Sequence, residues 1–144
     1  MEIKDYIDQR IQEQITWFER ESTRNRHCYH FTKVLLTVTA AITPALASFI
    51  KDSTSVQIVV GIVSALTAIL ANINGIFNFR DKYITFRDAA EYIKSETLLF
   101  ETGAGKYKNA EHSSSLFVDT IEQYIINLNS NWKKMLSTDK DSNQ

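Results

Sequence analysis

Two asparagine side chains lie within a long uncharged and mainly apolar stretch, where polar amides are unusual. Asn72 and Asn74 both fall within residues 53–79, which contain no acidic or basic side chain. A buried amide is costly unless it meets a hydrogen-bond partner or water. These amides could bind partly dehydrated ions, or they could hydrogen-bond to Thr37 or Thr39 of a neighbouring helix.

The same stretch carries small and polar residues at alternating intervals of four and three positions, so that they share one helical face. This small-residue seam consists of Gln57, Gly61, Ser64, Ala68, Ala71 and Gly75. Small residues let helix backbones approach closely in lipid, where packing drives helix association. The seam is therefore a candidate subunit interface or pore lining. The alternative is that it packs against the neighbouring helix of the same chain.

Two other motifs suggest chemistry that their context does not support. His27, Cys28 and His30 have a spacing suited to metal ligands, since positions three apart share a helix face. Only His112 or a neighbouring subunit could complete the site, and ordinary residues beside a membrane are the favoured interpretation. The run TGAGK resembles a phosphate-binding loop, but Tyr107 stands where serine or threonine is needed. Its glycines are expected to end a helix. No catalytic residues, metal or cofactor are predicted.

The average composition of this 144-residue chain hides an uneven distribution of charge. The net charge is -1, which predicts no nucleic-acid-binding surface, and a single cysteine allows no intrachain disulfide. Yet residues 34–50 and 53–79 carry no charge at all. A helix needs roughly 20 residues to cross the hydrocarbon of a bilayer. We therefore predict transmembrane helices at 31–50 and 56–77, with 51–55 as the turn of a helical hairpin.

The first span is the weaker prediction, because it contains several threonines and Pro44. Lys33 lies near its end, where its stem can reach back to the headgroups. A soluble bundle with two buried central helices is the alternative, although it would need a substantial shell around them. Basic residues flank both spans on the side away from the turn, which carries only Lys51. Both termini are therefore expected in the cytoplasm.

Outside the spans, apolar residues recur at helical spacing and predict amphipathic helices. A cytoplasmic packing seam is expected at Phe79, Tyr83, Phe86, Ala90, Ile93 and Phe100. No proline or glycine separates this helix from the second span, so one helix could run from residue 56 to 101. The predicted fold is a single all-α domain with cytoplasmic helices at 3–30, 78–102 and 114–136 and a disordered tail at 137–144.

The order of these segments resembles the SLATT family of bacterial two-transmembrane proteins. The resemblance rests on Trp17–Arg26, Phe79–Glu91 and Gly103–Tyr107. It implies a membrane effector of bacterial defence or signalling that oligomerises and perforates or depolarises the inner membrane. It also implies a possible nucleotide ligand or sensor partner, which no residue of this chain identifies.

The sequence therefore predicts a multi-pass membrane protein that forms a homo-oligomeric ion channel or pore. Its expected partners are the lipid bilayer, further copies of itself and permeating ions. A membrane-anchored helical module that recruits a cytosolic protein is the alternative function, and a soluble helical bundle is the third.

Overall fold

The computed structural model describes residues 3–48, 54–108 and 111–141, without the side chains of Asn74 and of residues 132–141. Every regular element in these ranges is helical, which confirms the all-α class. A short helix α1 (Ile3–Asp5) leads into a π-helical segment (Tyr6–Ile11). The long helices are α2 (Gln12–Ala47), α3 (Thr54–Phe77), α4 (Phe79–Glu101) and α5 (Ser113–Asp141).

Helix α2 joins the charged N-terminal part to the first apolar segment without interruption. No proline or glycine occurs between Gln12 and Thr43, so nothing in this range breaks the backbone hydrogen-bond ladder. Pro44 lies in the last turn of the helix. Since proline has no N–H, the carbonyl of Ala40 loses its usual donor four positions on. The end of the predicted first span at 49–50 and most of the predicted turn, 51–53, lie outside the described residues.

The prediction of one continuous helix from residue 56 to 101 is wrong at one position, because the helix is interrupted at Asn78. Its φ of 47° lies in the left-handed region. Helix α4 starts at once, since the Asn78 carbonyl accepts a hydrogen bond from the Lys82 amide at 3.1 Å. Asparagine enters the left-handed region more readily than other non-glycine residues, because its short side chain hydrogen-bonds locally. The rings of Phe77 and Phe79 stack beside the break, 5.4 Å apart.

The C-terminal helix is longer than the predicted 114–136. It begins at Ser113 and continues through Asp141, so the first five residues of the expected disordered tail are helical. Polar residues without proline or glycine carry no strong signal to end a helix. Residues 142–144 lie outside the description.

The chain divides into two compact units, which are Met1–Ile15 with Ala89–Gln144, and Thr16–Asp88. In the first unit, the fully buried ring of Phe117 forms the centre of the core. It stacks on Phe100 at 4.6 Å, and Tyr107 and Tyr6 approach it at steeper angles. Buried aliphatic side chains surround these rings, namely Ile7, Ile11, Ile93 and Ile121. Aromatic and aliphatic burial therefore holds this unit together.

In the second unit, α2 packs against the first turns of α4. The Ser22 hydroxyl donates to the Tyr83 carbonyl at 2.9 Å, and the rings of Tyr29 and Tyr83 lie 6.1 Å apart. One turn further along α4, Phe86 contacts Phe18 at 6.0 Å. Later residues of α4 meet earlier residues of α2, so these two helices run antiparallel.

Candidate functional site

Helix α3 presents three distinct faces along its length. One stripe is partly buried and repeats at intervals of four and three: Val56, Val60, Val63, Thr67 and Leu70. A second face carries large aliphatic side chains that are exposed, such as Ile62 and Ile69 at 56% each. Every member of the small-residue seam, from Gln57 to Gly75, is also exposed. The seam is therefore not the face on which α3 packs within its own chain.

The apolar C-terminal part of α2 also has one partly buried face and two exposed flanks. Its partly buried stripe is Leu36, Thr39, Thr43 and Leu46. Exposed large side chains include Val38 and Ile42 on one flank. The opposite flank carries small or ring-closed residues, which are Thr37, Ala40, Ala41, Pro44 and Ser48, all exposed.

Packing of α2 against α3 through their partly buried stripes would place the two small-residue flanks on one side of the pair. Only residues 48–53 connect α2 to α3, a stretch that spans at most about 21 Å, whereas α3 is about 36 Å long. Helices that pack along their lengths with so short a connection must run antiparallel. On each helix the small residues lie clockwise from the partly buried stripe, viewed from that helix's N-terminus. In such a pair, the two-fold relation of antiparallel helices would bring both flanks to one side, which we call the small-residue side.

Asn72 lies on this side and is exposed. Its amide nitrogen donates to the Ala68 carbonyl of the same helix at 2.8 Å. Thr37 and Thr39 likewise donate to carbonyls of their own helix, at Lys33 and Leu35. The alternative of a hydrogen bond from Asn72 across to either threonine is not found among the described contacts, because one N–H of Asn72 and both threonine hydroxyls donate within their own helices. The side chain of Asn74 lies outside the described residues.

Other polar atoms accompany Asn72 on the small-residue side. The Ser64 hydroxyl donates to the Val60 carbonyl at 2.8 Å, which leaves its oxygen able to accept. In the last turn of α2, Pro44 leaves the carbonyl of Ala40, four positions earlier, without its helical donor. An amide, a hydroxyl and a freed carbonyl on one side offer oxygen ligands that a flank of large aliphatic residues does not.

The packing seam predicted from Phe79 to Phe100 is used within the chain, but by both units. Phe79, Tyr83 and Phe86 are partly buried in the unit that contains α3. Ala90 and Ile93 are almost completely buried in the other unit, where Phe100 stacks on Phe117. These residues therefore pack the chain itself and leave little of the seam for a partner.

A polar cluster surrounds the carboxylate of Glu96 near the end of α4. It lies beside the TGAGK run, whose sequence does not fit a phosphate-binding loop. Glu96 is 9% exposed and accepts a hydrogen bond from the Tyr107 hydroxyl at 2.7 Å. The Lys106 ammonium lies 3.0 Å from the same carboxylate and 3.3 Å from the Thr120 hydroxyl. Burial acts to raise the pKa of Glu96, but the bonds from Tyr107 and Lys106 outweigh it and lower the pKa.

The glycines of the TGAGK run make this cluster possible. Gly103 has φ 60°, and its amide bonds to Phe100 while the amide of Ala104 bonds to Leu99. This is the Schellman pattern that ends a helix, as the sequence predicted. The chain then turns back, and a short 3-10 helix (Gly105–Tyr107) carries its lysine and tyrosine to Glu96.

A second carboxylate ties the N-terminal segment to α5. Glu122 accepts two hydrogen bonds from Arg10, at 2.7 and 3.0 Å, and one from the Tyr6 hydroxyl at 2.9 Å. Burial, followed by the bond to Glu122, raises the pKa of Tyr6 to about 12. The bond from Arg10 is the main cause that lowers the pKa of Glu122. Both donors lie on the π-helical segment, a long-range pairing that spacing within the sequence does not signal.

The possible metal ligands do not come together with others. His27 and His30 are exposed and Cys28 is partly buried. Among the described residues, no three histidine, cysteine or acidic side chains form a group that could hold a metal ion.

A family model described as "Protein of unknown function (DUF4231)" matches residues 13–115, which is well over half of the chain. The chain belongs to the DUF4231 family. No curated protein and no solved structure matches it.

The DUF4231 match covers the features that distinguish the apolar helices. Both apolar segments, the break at Asn78 and the turn at Gly103–Tyr107 fall within it. Tyr6, Arg10 and Glu122 lie outside it. The small-residue side and the Glu96 carboxylate with its Tyr107 and Lys106 donors therefore belong to the part of the chain that matches the DUF4231 family.

Proposed function

We propose that this DUF4231 protein spans a membrane twice and that several copies assemble into an ion channel or membrane-perturbing pore. The observation that carries this proposal is the exposure of its apolar helices. Two helices are long and apolar enough to cross a membrane, and only 6% and 0% of their most apolar stretches are buried. Exposed apolar surface of this extent marks contact with a membrane or with other chains. This exposure favours the membrane over a soluble bundle, which is expected to bury such surface within its own chain.

The difference between the two sides of the hairpin supports assembly. Large aliphatic residues such as Ile62 and Ile69 suit contact with lipid chains, whereas small residues such as Gly61 and Ala68 allow close helix packing. The amide of Asn72 would be costly against lipid. Another copy or a water-filled conduit would provide it with polar surroundings. Since two helices enclose no channel, a conduit requires several hairpins.

The membrane orientation is supported by Lys33 at the beginning of the first span. Its ammonium lies 2.9 Å from the Tyr29 hydroxyl, one turn towards the N-terminus. A lysine that extends out of the hydrocarbon in this direction fits a cytoplasmic N-terminus. Basic residues at the same ends of both spans support both termini in the cytoplasm. The location proposed is the bacterial inner membrane.

The resemblance to SLATT proteins supports an effector role in bacterial defence or signalling. In this proposal, opening is controlled by a nucleotide ligand or a sensor partner. A membrane-anchored module that recruits a cytosolic protein is the second candidate. Two exposed aliphatic side chains on the unit that contains α5 favour it: Leu98 at 61% and Ile126 at 63%.

The test compares matched substitutions on opposite sides of α3. Purified protein is reconstituted into planar bilayers, and its copy number is measured in detergent by mass photometry. Gly61→Leu with Ala68→Leu should abolish the oligomer and the current, because added side chains prevent close helix approach. Ile62→Leu with Ile69→Leu should preserve both, because the large aliphatic flank keeps its character. A monomeric wild-type protein without conductance would refute the pore, and specific capture of one cytosolic protein would then favour the recruitment module.

A further inference from the structure

Basic side chains of two neighbouring helices lie at one level, at the ends of the proposed spans. The contact between Tyr29 and Tyr83, 6.1 Å between ring centroids, fixes the pairing of α2 with α4. Because the helices are antiparallel there, the turns of α2 on either side of Tyr29 lie beside the first turns of α4. Arg26 and Lys33 of α2 are thus brought near the level of Arg80.

We call the region formed by residues 21–33 of α2 and 80–88 of α4 the cytoplasmic rim. It has an excess of positive charge that its internal ion pairs do not neutralise. Within residues 21–33 and 80–88, six basic residues face three acidic ones, which leaves a net charge of +3. The basic residues of the rim, all exposed or partly exposed, are Arg24, Arg26, Lys33, Arg80, Lys82 and Arg87. Its acidic residues are Glu21, Asp81 and Asp88.

The ion pairs described within the rim are long, and their arginine side chains are mostly exposed. Arg24 lies 3.9 Å from Glu21, and Arg80 lies 4.0 Å from Asp81, with about two thirds of each side chain in the Arg80 pair exposed. Exposed pairs of this kind contribute little free energy. The guanidinium groups consequently retain the capacity to bind a further anion.

Aromatic rings accompany the basic groups at the same level. The stacked rings of Phe77 and Phe79 bracket the break at Asn78, and Tyr29 lies beneath the Lys33 ammonium, 5.2 Å from its ring centroid. Aromatic residues concentrate at membrane–water interfaces, where their rings lie at headgroup depth. This places the rim at the headgroups, where its cationic groups meet lipid phosphates.

We propose that the cytoplasmic rim binds anionic phospholipid headgroups and makes the protein select them over zwitterionic lipid. The inference rests on the proposed membrane location and not on the pore. Arg26, Lys33 and Arg80, on adjacent helices, can each donate to phosphate oxygens. Arginine can do so through two parallel hydrogen bonds. Each basic residue near an anionic surface strengthens binding by about fivefold, and salt weakens the attraction.

The test measures the selectivity of reconstituted protein for spin-labelled phosphatidylglycerol over spin-labelled phosphatidylcholine by electron paramagnetic resonance. Lys33→Gln with Arg80→Gln removes two rim charges. Lys4→Gln with Lys108→Gln removes two exposed charges from the other unit and is the matched control. The wild type should prefer phosphatidylglycerol severalfold, and the rim variant should lose most of this preference, by at most about fivefold per charge. The control variant should keep it, and 1 M salt should abolish it.

Equal selectivity of the rim variant, the control and the wild type would overturn the proposal. So would competition by soluble glycerol 3-phosphate at millimolar concentration, because the rim would then be a site for a free phosphate ester. Reconstitution into pure phosphatidylcholine vesicles separates the two proposals. Protein that inserts there but shows no lipid preference contradicts only the lipid site, whereas protein that stays in the aqueous phase contradicts the membrane location.

Discussion

The carboxylate of Glu96 should stabilise the folded chain more than any exposed acidic residue of the same helix. Its side chain is almost buried and accepts a short hydrogen bond from Tyr107, while the Lys106 ammonium lies 3.0 Å away. A hydrogen bond to a charged group contributes about 1.5–3 kcal/mol. Since the Lys106 side chain is 39% exposed, solvent screens its attraction, and we assign this pair less than about 1 kcal/mol.

These contributions predict the effects of two substitutions. Glu96→Gln keeps the volume and one acceptor for Tyr107 but removes the charge, so it should lower the free energy of unfolding by about 1–2 kcal/mol. Glu96→Ala also leaves the buried Tyr107 hydroxyl without its acceptor and should cost about 3 kcal/mol. Glu91→Gln is the matched control, because Glu91 is exposed and lies 3.8 Å from Lys94 in a solvated pair. That change should cost less than about 0.5 kcal/mol.

The assay is denaturant unfolding of the full chain in detergent, followed by circular dichroism at several pH values. Because the pKa of Glu96 is lower in the folded state than its usual 4.5, the charged carboxylate stabilises the fold above that pH. This contribution should disappear as the pH falls from 4.5 through the lowered pKa, and Glu96→Gln should lack that part of the acid dependence. Equal stability of the wild type and Glu96→Gln at pH 7, with the same acid dependence, would refute the reasoning.

Three further predictions concern backbone conformation and the second carboxylate. Asn78→Gly should preserve the free energy of unfolding, because glycine accepts the positive φ. Asn78→Ala should lower it by about 1 kcal/mol in the same assay. Equal effects of the two substitutions would contradict a left-handed residue at this position. Gly103→Ala should also lose about 1 kcal/mol, because open space surrounds the added Cβ and only the positive φ of 60° opposes the change; unchanged stability would contradict a left-handed residue at the end of α4. Glu122→Gln should cost about 1–2 kcal/mol by weakening the bidentate bond with Arg10, and the variant should lack the corresponding loss of stability below pH 4.5; an unchanged acid profile would contradict the lowered pKa.

The apolar helices could be predicted from sequence because absence of charge over a long stretch is a local property. The break at Asn78 could not, since asparagine occurs in both helices and left-handed turns, and the choice depends on its surroundings. The Glu96 cluster was missed for another reason. Its donors, Lys106 and Tyr107, lie beyond a glycine turn whose direction fixes the contact. The glycines of the TGAGK run predicted the end of the helix. They did not indicate that the turn brings Lys106 and Tyr107 back to Glu96.

The small-residue seam shows how one periodic pattern can have two physical explanations that only burial separates. Residues four and three apart always share a helix face, so the seam fitted packing within the hairpin as well as packing between copies. In the structure, the partly buried face consists of Val56, Val60, Val63, Thr67 and Leu70, and Gly61, Ala68 and Gly75 remain exposed. A simple lipid anchor has no need for two unlike sides, because lipid surrounds it evenly. The proposed assembly of hairpins would need them, because one side would meet lipid while the other would meet protein or water.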